Sequence, residues 1–198
     1  HTIGKASVGF KLTGSHSSVI SKNFFGNSGN ISITGENSVA YLLKNMNLTS
    51  GANFKDNLTL TSTKAYTYIN ANTSRLEYMN TKTIANDDSM FVNAKDSYIT
   101  LLAGANISSA NKKVTGVYSE GGYTYNRGIL TFTGDNSSAL YGKGTSISNE
   151  ATGKITVGKD GSGIYVKPLA GSPTIPGDGT NYGEITIGQG SVGMRAED

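Results

Sequence analysis

The chain has 198 residues, of which only 16% are charged and 36% hydrophobic; it carries a net charge of +3, 26 glycines and no cysteine. Charges of both signs are interspersed, which excludes the basic stripe of a nucleic-acid binder. No apolar run reaches the roughly 18 residues of a membrane-crossing helix. A composition crowded with Gly, Ser, Thr and Asn is poor material for long helices but suits tight corners, where glycine and asparagine accept positive φ. The absence of thiols is compatible with export in an unfolded state, where free cysteines would pair prematurely.

In chain order, the same short phrase recurs. Ile3 stands eight residues before Lys11, Ile31-Ser-Ile33 leads to Tyr41, and Leu58-Thr-Leu60 leads to Tyr68. Further on, Leu130-Thr-Phe132 leads to Leu140, Gly153-Lys-Ile-Thr-Val157 to Tyr165, and Gly183-Glu-Ile-Thr-Ile187 to Arg195. From the last apolar residue of the first strand to the marker residue the offset is again eight, as in 132 to 140 or 157 to 165. With Phe91 and Tyr118 in the same column, the markers lie 22 to 30 residues apart, a mean of roughly 26, which is solenoid spacing. Within each unit apolar and polar residues alternate over a few positions between Gly and Asn, the pattern of strands and not of helices. No L-x-x-L-x-L frame recurs, which sets leucine-rich repeats aside. The expected fold is all-β, a right-handed parallel β-helix of about eight coils.

The marker column, Tyr41, Tyr68, Phe91, Tyr118 and Tyr165 flanked by Lys11 and Arg195, is expected on the outside, because alternation gives Ile164 and Val166 the opposite face. Leu140 also aligns with Ile164 and Met194, and that register makes Tyr141 the outward residue of its coil; a slip of one residue changes the face. An outward aromatic row stacks on sugar rings or on a protein partner, or simply stabilises the coil by stacking like on like. The stretches 119–127 and 167–180 read as loops of variable length leaving one corner. They carry the candidate partner-binding residues Tyr123, Tyr125 and Arg127, side chains of the kind that anchor interfaces.

Catalysis has little material. His1 and His16 are the only histidines, so a His-based triad is not expected. Glu36, Asp135 and Asp160 each lie five residues before the marker column, a turn position where an acidic residue commonly caps the chain. Polysaccharide-cleaving β-helices need paired carboxylates on adjacent coils or a calcium cluster with a basic residue. The expectation is no enzyme activity, no catalytic residues, no cofactor and no metal site.

The phrases Asn181-Tyr-Gly-Glu-Ile-Thr-Ile-Gly-Gln-Gly-Ser-Val-Gly-Met194 and Gly153-Lys-Ile-Thr-Val-Gly-Lys-Asp-Gly-Ser-Gly-Ile-Tyr165 resemble the repeats of the large type V autotransporter adhesins, in particular the fusobacterial RadD-like group. Those repeats read N-x-G-x-I-x-I-G followed by S-x-G-[IM]-Y-A. The match is best in the C-terminal third, and Arg195 stands where the family pattern has Tyr. The resemblance implies a passenger segment at the bacterial cell surface, carried by a C-terminal outer-membrane barrel outside this stretch. Its implied partner is a protein or glycan receptor on host cells or other bacteria. With neither end capped, residues 1–198 are expected to be one slice of a longer rod. The alternative is a carbohydrate-active β-helix that binds or degrades polysaccharide.

Overall fold

The computed structural model describes residues 2–14, 27–49, 54, 56–169 and 176–197. Among them every regular element is a strand. The chain begins with β1 (Thr2–Ile3) and β2 (Val8–Thr13), then β3 (Asn27–Ile33), β4 (Ser38–Lys44) and β5 (Asn47–Leu48). Next come β6 (Asp56–Ser62), β7 (Tyr66–Asn72) and β8 (Arg75–Tyr78), followed by β9 (Thr81–Thr83) and β10 (Met90–Leu101). Then follow β11 (Asn106–Ser109), β12 (Thr115–Asn126), β13 (Ile129–Phe132), β14 (Ser138–Lys143) and β15 (Ser146–Asn149). The last coils hold β16 (Lys154–Val157), β17 (Ser162–Lys167), β18 (Asp178–Asn181), β19 (Glu184–Ile187) and β20 (Val192–Ala196).

Each strand pairs in parallel with its counterpart one coil on, so the chain is a parallel β-helix with three faces. The second face is an unbroken path, β2-β4-β7-β10-β12-β14-β17-β20. The third runs through β5, β8, the second halves of β10 and β12, then β15 and β18. The first face is divided into β1-β3-β6 and β9-β11-β13-β16-β19. The result is about five turns, fewer than the eight coils expected. Eight strands do line the second face, but the division after β6 interrupts the regular stack. At the start of the five-stranded part, Lys82 takes the inward place that Ile107 fills one coil on. It is buried, with its ammonium 4.7 Å from the centre of the Tyr68 ring; a cation over an aromatic face recovers some of the hydration it loses.

Two corners of the coil are built from left-handed backbone. Asn37, Asp88, Lys113, Asn136, Asp160 and Gly190 turn the chain into the second face. Asn45, Thr73, Asp96, Gly121 and Gly144 turn it toward the third. The first of these corners is closed by serines. The Ser89, Ser137 and Ser191 hydroxyls accept the N–H groups of Tyr66, Val114 and Gly161 from the preceding coil. Buried backbone donors at a corner have no ladder partner, and these hydroxyls supply one.

The core largely follows the expected stack. Ile31, Ile33, Leu130, Phe132, Ile155 and Val157 are buried, and Leu60 and Ile185 pack against them. Leu60 pairs with Ile31 and not with Ile33, two residues from the expected register. The Leu58 side chain lies outside the described residues. Ile187 is 48% exposed, in the strand that ends its sheet among the described residues.

The marker column is corrected. In most coils of the second face two consecutive residues are buried, as in Tyr68 and Ile69, Phe91 and Val92, or Ala139 and Leu140, so strict alternation fails there. The expected column therefore mixes rows. Tyr41 pairs with Phe10 and Ile69 and is fully buried, as are Tyr68 and Phe91. They form an internal aromatic core, with Phe10 and Tyr41 stacked at 5.3 Å and Tyr68 and Phe91 at 5.8 Å. The outward row is Lys11, Leu42, Asn70, Asn93, Tyr118, Tyr141, Tyr165 and Arg195.

Tyr66 starts a strand of this face and is also buried. Burial pushes its phenol up to about 12, against the pull of the Ala85 N–H it accepts. A raised folded value means that the stability from neutral Tyr66 is whole below pH 10 and is lost as pH rises toward 12. The expected loss is about 2–3 kcal/mol over that window. Denaturation at stepped alkaline pH should show this slope, and Tyr66→Phe should make it shallower, with the raised Tyr118 and Tyr165 phenols keeping part of it.

Candidate binding surface

The segment 119–127 is not a loop. It is the continuation of β12 across the corner, where Gly121 and Gly122 both have positive φ. A Cβ on Gly122 would stand 2.0 Å from the Ser97 carbonyl oxygen, so the chain turns here only because no side chain is present. The strand resumes at once in register, with Tyr123 opposite Tyr98 and Ser146. Spacing alone reads such a glycine pair as the end of an element, which is why the corner looked like an insertion.

This continuation places two rows on the third face, outward at the tyrosines, although Ser148 in the second row is buried. One runs Arg75, Tyr98, Tyr123, Ser146 and Asp178; the other runs Glu77, Thr100, Tyr125, Ser148 and Thr180. The Arg75 guanidinium lies 4.7 Å from the Tyr98 ring centre, and Tyr98 stacks on Tyr123 at 5.4 Å. Tyr123 and Tyr125 lie 6.2 Å apart with ring planes within 2° of parallel. All three tyrosines are roughly 40% exposed. The structure thus brings the candidate residues Tyr123 and Tyr125 together. Arg127 lies just past the strand, exposed, and no described contact joins its guanidinium to either ring. Of the segment 167–180, residues 170–175 lie outside the described set. Pro176 lines one cleft with Tyr98 and Tyr123, so the two segments do meet on one side of the rod.

A second aromatic row lies on the second face. Tyr118 and Tyr141 meet edge to face at 5.2 Å, and Tyr141 stacks on Tyr165 at 4.7 Å. Lys143, Lys167 and Arg195 place their charges over these rings at 5.1–5.9 Å. A hydrogen bond to Glu197 holds the Tyr165 phenol above its usual range, and the same bond holds the Glu197 carboxyl below its own. Desolvation raises Tyr118, and Lys167 is raised by its hydrogen bond to Tyr141. Bonds of this kind fix ring orientation on an otherwise open sheet.

The turn carboxylates do not meet. Asn136 N–H donates to the Lys159 carbonyl and Lys113 N–H to that of Asp135. Asp135 is therefore level with Lys112 and Lys159, while Asp160 is level with Asn136, one position on. The outward row passes through Tyr141 and not Leu140, so the residue five positions before it, level with Asp160, is Asn136. Lys112 and Asp135 pair at 3.8 Å, as do Lys159 and Asp160, and Glu36 is 3.8 Å from Lys64. Such alternation of charge steadies a turn and does not create a general acid beside a base. Among the described residues no group of three or more His, Cys, Asp or Glu could hold a metal ion. His1 and His16 lie outside them.

One polar feature has only a faint signal in the sequence. Asn126, Asn149 and Asn181 stack at the end of the third face, the first two fully buried. Each Nδ2 donates to the next Oδ1 at 2.8 Å. The N-x-G spelling at Asn126 and Asn181 is its trace, because these amides also bond Gly128 and Gly183. No family model matches the chain, and no curated protein or solved structure shows a significant match to it.

Proposed function

We propose that the chain is a surface-exposed passenger segment of a bacterial autotransporter adhesin, attaching to host cells or other bacteria through its third face. The observation that carries this reading is the exposed row of Arg75, Tyr98, Tyr123 and Tyr125 on a stiff, regularly hydrogen-bonded rod. Aromatic rings with few rotatable bonds lose little entropy on contact and anchor protein or glycan partners. The repeat phrases of the C-terminal third support the same class. A polysaccharide-degrading reading is weakened by the offset of Asp135 from Asp160 and by the lysine paired with each.

Tyr125→Ala combined with Arg127→Ala is the test. Both side chains are exposed and neither closes the core, so attachment to cells should fall while the melting temperature stays near that of the parent. Ile164→Ala, at a fully buried site, should instead cost about 2–5 kcal/mol of stability. A double variant that attaches as well as the parent would make the chain a spacer that carries a binding site elsewhere.

A further inference from the structure

The two tyrosine-bearing rows of the third face change character at the same step, to a half-buried Ser146 and a buried Ser148. Tyr123 is followed one coil on by Ser146, and Tyr125 by Ser148. Tyr123 stacks on Tyr98 at 5.4 Å in the coil before and lies parallel to Tyr125 at 6.2 Å along its own strand, while the coil after places only the small Ser146 side chain beside it. Between these rings and the neighbouring corner is a cleft of about 300 Å³, at the low end of ligand sites and scaled to a single ring. Its lining joins Tyr98 and Tyr123 to Asp96, Gly121, Gly122, Gly144, Thr145, Ser146 and Pro176.

The polar groups of the cleft are placed for hydroxyl ligands. Asp96 sits at the corner in left-handed backbone, its carboxylate against Gly121, where a Cβ would stand 2.7 Å from Oδ1. It is exposed, and no hydrogen bond or ion pair to it is found among the described residues. The glycines leave backbone bare along the floor, and Ser146 adds a hydroxyl. An aromatic face next to an unpaired carboxylate and open backbone suits a pyranose. The apolar C–H face of such a ring covers the tyrosine, and vicinal hydroxyls donate to the carboxylate. Asp178, next in the row after Ser146, adds a second negative charge nearby and disfavours acidic sugars.

We propose that this cleft is a subsite for a neutral pyranose of a cell-surface glycan, with Tyr123 as its stacking platform and Asp96 as its hydroxyl acceptor. The inference rests on the adhesive reading above and names the ligand class of that face. Saturation-transfer NMR on the whole chain would test it. The probes are the methyl glycosides of galactose, glucose, N-acetylgalactosamine and N-acetylglucosamine, with N-acetylneuraminic acid as the acidic comparison. At least one neutral glycoside should bind, with transfer concentrated on ring C–H protons, and the acidic sugar should bind at least 10-fold more weakly. Tyr123→Ala and Asp96→Asn should each weaken binding at least 10-fold. Ser146→Tyr should abolish it while keeping the fold, because the new ring would continue the row and fill the cleft that Ser146 lines. No transfer to any neutral glycoside, equal binding of N-acetylneuraminic acid, or full binding by a folded Ser146→Tyr chain would overturn the proposal. Cell attachment measured in parallel separates the two readings. Attachment kept by Ser146→Tyr but lost by the Tyr125/Arg127 double variant removes the sugar site alone. A parent chain that binds a glycoside but attaches to no cell removes the adhesive reading alone.

Discussion

Val157→Asp is expected to cost more than about 4 kcal/mol and to disrupt the coils on either side of it. Val157 is 2% exposed and lies in register between Phe132 and Ile187. The substitution removes roughly 1.5–3 kcal/mol of apolar burial and places a carboxylate where no cation or donor faces it. Desolvating that charge costs several kcal/mol more, unless the group takes up a proton. In a stack each coil is held by its neighbours, so the damage spreads to both. Ile187→Asp is the matched control. It sits in the same column but is 48% exposed, so an aspartate there keeps its water and should cost less than about 1 kcal/mol. Urea denaturation followed by far-UV circular dichroism compares the two. Equal losses would mean that the column is not an interior of graded depth.

The fold was legible because the first face is simple. Ile155, Val157, Ile185 and Ile187 alternate cleanly with polar residues, and their strands pair as the repeat implies. The outer surface was less legible because the second face buries neighbours in pairs. A period of two cannot assign both Ala139 and Leu140 to the inside. The marker column falls one position short of the outward row at Tyr41 and Leu140 and two short at Tyr68 and Phe91, and strict alternation then puts these buried side chains outside. The one-residue offset at Leu140 also aligns Asp135 with Asp160. Tyr123 and Tyr125 could be picked out as interface residues from their type. Their partners Arg75 and Tyr98 could not, since Tyr98 meets Tyr123 only through a pairing across 25 residues that needs the glycine corner, and Arg75 meets Tyr98 across a further 23. That corner is physically a continuation, because Gly121 and Gly122 allow a turn without loss of register.

The asparagine stack should show strong coupling between coils. The Asn149 amide accepts from Asn126 Nδ2 and donates to Asn181 Oδ1, both at 2.8 Å, and its Nδ2 is 3.3 Å from the Gly153 and Glu184 carbonyl oxygens. Asn126 and Asn149 are fully buried, so water cannot replace a lost partner there. Asn149→Leu should therefore cost about 2–4 kcal/mol, because the Asn126 amide is left with an unmet donor in the interior. Leucine itself fits the column: Leu101 occupies the place one coil before Asn126, and it too is fully buried. Replacing both Asn126 and Asn149 by leucine removes donor and acceptor together, so the double variant should lose clearly less than the sum of the single losses. Asn149→Asp adds a pH test. Burial raises the aspartate above its usual value, and only its protonated form can donate toward Asn181. Its stability should be highest in acid and fall as pH rises through the folded value, a slope the parent lacks at this position. Additive losses for the two leucines, or an aspartate variant indifferent to pH, would show that these amides act separately and do not tie the coils together.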